Sequence, residues 1–397
     1  MTVTSPVAER YPAALMNTFG PPRRVLARGK GCHVWDDEGN RYLDTLGGIA
    51  VNALGHAHPD VVATISRQAA TLGHVSNFFA TEPQVSLAER LLSLTGADDG
   101  RVFFTNSGTE ATEAAFKLTR RTGRTKIVAA EGGFHGRTMG ALALTHKAAY
   151  RTPFLPLPGE VEFVPYGDLA ALDAAVDSDT AAVLLEPIQG EAGVIVPPDG
   201  YLSGARRVAD AHGALLWFDE VQTGIGRTGL WLGYQHEDVV PDIVTLAKAL
   251  GAGFPIGALI GLGAAGTLFQ PGQHGTTFGG NPLAAAVGLT VLDVIERDGL
   301  LDHAAQMGGE LRALLATVPG LAAVRGRGLH VAADVVPGSA PAIARAALNH
   351  GLIVNDVRPD ALRFVPPLVL EPEHLNELGV ALEPALAAVQ QPRQEAE

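Results

Sequence analysis

The sequence predicts an α/β protein organised on a mostly parallel β-sheet, and three observations carry that expectation. From about Arg101 onward, short apolar runs bounded by glycine, proline or charge recur: RVFFT, KIVAA, AAVLLEP, ALLWFDE, DIVTLAK and IGALIGLG. Such runs read as strands. Helical stretches such as EATEAAFKLTRRTG and YLSGARRVADAHG lie between several of them, and strands alternating with helices build a sheet covered on both faces. Ligands of such sheets bind beyond the carboxyl ends of the strands, and Ser107, Asp219 and Lys248 all fall at or just past such ends.

The remaining elements follow in chain order. The start, MTVTSPVAERYPAAL, has no basic segment leading into an apolar one, so no signal peptide is expected. GCHVWDDEGNRYLD reads as a hairpin turning at Asp37 to Asn40. Beyond the central block, NPLAAAVGLTVLDVIERDGL reads as a long helix, and GLHVAADV, ALNHGLIVN and ALRFVPPL as short strands and helices. The division expected is a large domain over residues 53–285 and a smaller α+β domain built from residues 1–52 and 286–397. The closing QQPRQEAE reads as a frayed tail.

Composition narrows the function. With 397 residues, 47% of them hydrophobic, the chain can bury a large core. A net charge of −13 argues against a nucleic-acid surface, which needs a basic stripe. The weakly polar window FPIGALIGLGAAGTLF is broken by glycines and too short to span a bilayer. A single cysteine, Cys32, fits a reducing cytoplasm. No metal enters the scheme.

The chemistry lies in three stations. Ser107, Gly108 and Thr109 open a helix directly after a strand, where unpaired amides and glycine's close approach suit a phosphate; an ordinary helix cap is the alternative. Asp219 ends ALLWFDE, where a carboxylate can keep a pyridine nitrogen protonated; an acidic turn residue is the alternative. Lys248 lies in apolar surroundings that favour a free, nucleophilic amine, against the usual solvated lysine. A phosphate cradle, a carboxylate and an amine in that order suit pyridoxal 5′-phosphate (PLP). Gln222 is placed to reach the ring hydroxyl and Phe134 the ring face, or they are a turn glutamine and a core aromatic. Arg137 and Arg363 suit a substrate with two carboxylates or serve as structural cations, with Glu191 as a partner.

Together NSGTEA, GGFHGRT, EPIQGEAGV, FDEVQTGIGRTG, TLAKALGAGFPIGA and GTTFGGNP resemble the class III aminotransferases, the ornithine/acetylornithine family, over nearly the whole chain. The resemblance implies a PLP fold-type I homodimer with its active sites at the subunit interface. Its large domain would carry a mostly parallel seven-stranded sheet covered by helices. Lys248 would be the lysine that condenses with the cofactor's aldehyde, Asp219 the partner of the ring nitrogen, Gln222 that of the ring oxygen, and Phe134 the stacking ring. Ser107, Gly108 and Thr109 would hold the phosphate, joined by Thr277 of the other subunit, with Thr276 as a substitute. Arg137 would bind the donor's α-carboxylate, Arg363 a carboxylate of glutamate or 2-oxoglutarate, and Glu191 would switch Arg363 between half-reactions.

The family's ornithine enzymes carry tyrosine where Gly48 stands, so Gly48 implies a blocked α-amine. The implied reaction passes the δ-amino group of N2-acetylornithine to 2-oxoglutarate, yielding N-acetylglutamate 5-semialdehyde and glutamate in arginine biosynthesis. Succinylated ornithine, N-succinyl-diaminopimelate, ornithine and 4-aminobutyrate are rival donors. A PLP aminomutase would share the site without consuming 2-oxoglutarate. A non-enzymatic scaffold would be marked by loss of Lys248 or Asp219, and both are present.

Overall fold

The computed structural model describes residues 5–97 and 99–390. The expected frayed tail therefore lies outside the described residues from position 391 onward, the last described helix being Pro372–Gln390.

After a helix over Pro6–Ala14 come three strands, β1 (Leu26–Lys30), β2 (His33–Asp36) and β3 (Arg41–Asp44), paired antiparallel in sequence. The β2–β3 turn falls where Asp37 to Asn40 place it. Asp36 makes that turn, its carboxylate accepting from the amides of Glu38 (3.1 Å) and Asn40 (2.8 Å).

The central sheet has seven strands: β4 (Gly100–Thr105), β5 (Lys126–Ala130), β6 (Glu160–Val164), β7 (Thr180–Leu185), β8 (Leu215–Asp219), β9 (Ile243–Leu246) and β10 (Gly257–Leu262). Their spatial order is β4-β10-β9-β8-β7-β5-β6. All pairings are parallel except those of β10, which runs antiparallel to both β4 and β9. Every residue of β7, β9 and β10 is buried, as strands covered on both faces require. Six of these strands match the apolar runs of the sequence. β6 does not, because EVEFV is an edge strand whose exposed Glu160 and Glu162 interrupt its apolar residues.

The long helix is Pro282–Arg297, with proline at its first turn and the Asn281 side chain accepting from the Ala284 amide (2.8 Å). It runs across the expected boundary after residue 285. Beyond it come β11 (Ala322–Arg327), β12 (His330–Asp334), β13 (Leu352–Ile353), β14 (Asn355–Arg358) and β15 (Ala361–Phe364). Four form an antiparallel sheet in the order β11-β12-β15-β14. β13 instead pairs in parallel with β3, joining segments from the two ends of the chain in one sheet.

Candidate active site

A cavity of about 440 Å³ opens at the carboxyl edge of the central sheet, and residues that follow β4, β5, β7, β8 and β9 line it. Ser107 caps the helix Gly108–Thr119, its hydroxyl accepting from the Glu110 amide at 3.3 Å. That is the ordinary capping role, and it leaves the amides at Gly108 and Thr109 to face the cavity end of the helix. A Cβ at Gly108 would come within 2.9 Å of Val221 Cγ1, so the first turn is pressed against the segment after β8. The Thr109 hydroxyl shares a 2.7 Å hydrogen bond with that of Thr138.

Asp219 ends β8 and is 4% exposed. One oxygen accepts from the Val221 amide (3.0 Å) and the other meets Nδ1 of His135 at 2.7 Å. With the aspartate ionised, Nδ1 carries the proton and donates it. The His135 amide in turn donates to the Thr145 hydroxyl (2.9 Å). His135 was not singled out in the sequence, although it stands inside GGFHGRT between Phe134 and Arg137, which were.

Glu186, directly after β7, is a second buried carboxyl that the sequence reading passed over. Its oxygens accept from the amides of Phe134 and Gly190, both at 3.0 Å. Burial pushes it up to about 7, helped by the charge of Asp219 and opposed by His135 and the two amides. Because its folded value lies above the ordinary 4.5, the folded state holds more protons than the unfolded one between those values. This group's contribution to stability is therefore fully present in acid and is lost as pH rises toward about 7. Glu220, pushed up to about 7 by burial, adds a slope of the same sign. Denaturation midpoints of the wild type and Glu186→Gln, compared across this range, should show the wild type losing ground to the variant as pH rises.

Lys248 follows β9 and opens a short turn, Lys248–Gly251. Its φ of 44° is left-handed, which costs a non-glycine residue about 1–3 kcal/mol and persists only where the surroundings impose it. Burial lowers its pKa; Arg363 lowers it further, while Glu191, Asp219 and Glu186 act against both. The free amine is thereby made more accessible near neutral pH.

The two arginines differ. Arg363, on β15 and 1% exposed, bonds Glu191 (2.7 Å), Gln222 (2.9 Å) and Asn355 (3.0 Å). Burial pushes Glu191 up, but Arg363, Lys248 and the hydrogen bonds from Arg363 and Gln222 outweigh it and hold the carboxyl below its ordinary value. Gln222, which lines the cavity, uses its oxygen to accept from both Arg363 and His330 Nε2 (2.9 Å). Arg137 is exposed at the cavity, its guanidinium lying against Tyr150 and Phe134.

Several expected residues stand outside the cavity lining, Arg363 and Glu191 behind Gln222 among them. Thr277 is exposed and Thr276 accepts from the Gly279 amide (3.1 Å), and neither lines this cavity. Gly48 is exposed with φ 64°, in a run of left-handed residues from Gly47 to Ala50 that leads into Val51 at the cavity.

The described residues contain no helix long and apolar enough to cross a membrane. The family model described as "Aminotransferase class-III" matches residues 17–386. An acetylornithine aminotransferase of Streptomyces coelicolor is 56% identical, covering 92% of this chain and 91% of its own length. Among solved structures, an N-acetylornithine aminotransferase of Stenotrophomonas maltophilia superposes with a TM-score of 0.82 at 38% identity, covering 94% of this chain and 98% of that one. An ornithine aminotransferase of Toxoplasma gondii, with PLP at partial occupancy in its active site, gives a TM-score of 0.89 at 34% identity over 95% of this chain and 93% of that one.

Proposed function

The chain belongs to the class-III aminotransferases, and from that premise we propose that it transfers the δ-amino group of N2-acetylornithine to 2-oxoglutarate in arginine biosynthesis. The observation that carries the reading is the convergence at one cavity of an amine, a buried carboxylate, a helix N-terminus and Arg137, with a second arginine, Arg363, bonded to the cavity-lining Gln222.

The donor set fits PLP. The amides of Gly108 and Thr109 at a helix N-terminus suit a phosphate, Asp219 a protonated ring nitrogen and Lys248 an aldehyde, while the tight approach at Gly108 leaves no room for a side chain. When bound, this group supplies the electron sink that stabilises negative charge at the carbon losing its proton. Phe134, which lines the cavity and whose amide Glu186 holds, would cover one ring face. Asp219 stays oriented because His135 and the Val221 amide occupy it from the protein side.

Lys248 acts as the base that takes a proton from the substrate's δ-carbon and as the acid that returns it. Arg137 binds the carboxylate of the donor. Arg363 is masked by Glu191 while the donor occupies the site and is exposed to a carboxylate of 2-oxoglutarate when Glu191 swings aside. The masking avoids an unpaired buried cation during one half-reaction and frees it for the other.

A homodimer completes this reading. Phe78 (92% exposed), Phe79 (66%) and Phe278 (59%) leave apolar surface uncovered, as an interface requires. Thr277, exposed beside Phe278, would reach the phosphate site of a second copy. The buried, unpaired thiol of Cys32 supports a cytoplasmic enzyme.

The test is a steady-state comparison of N2-acetylornithine, ornithine, N-succinyl-diaminopimelate and 4-aminobutyrate as donors to 2-oxoglutarate. Acetylornithine should exceed ornithine by more than about tenfold in kcat/KM, or ~1.4 kcal/mol. Position 48 is glycine, so this chain lacks the tyrosine that helps hold free ornithine in the ornithine enzymes. Equal rates on the two donors would overturn the substrate assignment.

A further inference from the structure

Arg363 spends its donors inside the protein, on Glu191, Gln222 and Asn355. Arg137 does not. For it the described residues provide no ion pair, only aromatic faces: its Cζ lies 3.5 Å from the centroid of the Tyr150 ring and 5.6 Å from that of Phe134. The half-buried Tyr150 ring is itself fixed from two sides. It meets Phe134 edge to face, with centroids 6.3 Å apart and planes at 85°. The Lys147 ammonium lies 4.7 Å from its centroid and 3.4 Å from its hydroxyl.

A guanidinium is flat, and its N–H donors project in its own plane, whereas stacking uses its face. Held on Tyr150, Arg137 is aimed while its in-plane donors stay free for a bidentate carboxylate. A carboxylate of the protein would have aimed the same cation by occupying those donors. Lys147 adds a second exposed positive charge beside it, on a chain whose net charge is −13, and so favours the approach of a donor's carboxylate end at this mouth.

We propose that Tyr150 is a positioning and specificity-determining residue, its ring aiming Arg137 so that the enzyme selects acylated diamines with a carboxylate on the carbon that bears the acylated nitrogen. The proposal rests on the donor reading given above and names the residue behind its carboxylate preference.

The experiment compares Tyr150→Leu and Tyr150→Phe with the wild-type holoenzyme on two donors: N2-acetylornithine, and N-acetylputrescine, the same acylated amine without the carboxylate. Tyr150→Leu should raise KM for acetylornithine by about tenfold while leaving kcat nearly unchanged. Tyr150→Phe, which keeps the aromatic face, should behave as wild type. Neither should alter kcat/KM for N-acetylputrescine. If the leucine variant does not fold, Tyr150→Met supplies a side chain of similar reach without a π face. Equal losses on both donors, or a phenylalanine variant as impaired as the leucine one, would overturn the role of Tyr150. Wild-type enzyme inactive on acetylornithine would instead overturn the donor reading. The same variants would then be run on the ω-amino acid the wild type accepts and on its decarboxylated counterpart, with the same two outcomes deciding.

Discussion

Lys248→Ala should abolish transamination, by about 10⁴-fold or more, because one side chain serves as base, acid and point of covalent attachment. Lys248 is the lysine among the residues that line the cavity. Borohydride reduction followed by peptide mass analysis provides a readout besides turnover. In the wild type the reduced pyridoxyl group should be found on the peptide containing Lys248, and in the variant on none. A pyridoxyl group on a different lysine, or retained activity in the alanine variant, would remove the assignment on which the proposed reaction depends.

The second large effect is expected at Asp219. Asp219→Asn keeps the shape and can still meet His135, but it removes the negative charge that, in the proposed reaction, would hold a ring nitrogen protonated. Loss of one preorganised electrostatic group of this kind costs about 10²–10³-fold in kcat. KM for N2-acetylornithine should change far less, since the side chain of Asp219 bonds His135 and the Val221 amide and neither arginine. A variant with wild-type kcat would show that the carboxylate serves only to anchor His135 in the core. A variant that lost kcat and KM together would point to a collapsed site, which its cofactor content and thermal midpoint would reveal.

The architecture was legible where burial left an unbroken record. β7, with all of its residues buried, reads as an apolar run in any frame. β6 was missed because an edge strand solvates one side and lets glutamates interrupt the pattern. The antiparallel course of β10 could not be read, since direction leaves no mark in a buried run.

The stations of the site stood out for a related reason. A charge closing an apolar run is expensive to bury without a purpose, and Asp219 and Lys248 both carry that mark. Glu186 closes AAVLLEP in the same way and could have been found by the same rule. His135 could not, because a lone histidine has no spacing that distinguishes a buried partner from a surface one. Tyr150 was silent for a different reason: its meaning lies in a contact with Arg137 across an irregular segment, which only the fold creates. The place of Thr277 relative to a second copy is likewise invisible in one chain's pattern.

Glu186 has a consequence beyond its titration. One carboxyl grips the main chain at Phe134, three residues ahead of Arg137, the proposed donor site, and at Gly190, next to Glu191, the proposed gate. Entry loop and exit latch thus hang from a single peg. Remodelling one for a bulkier acyl group will drag the other with it, so altered donor choice and altered return of the amino group should be inherited as a linked pair.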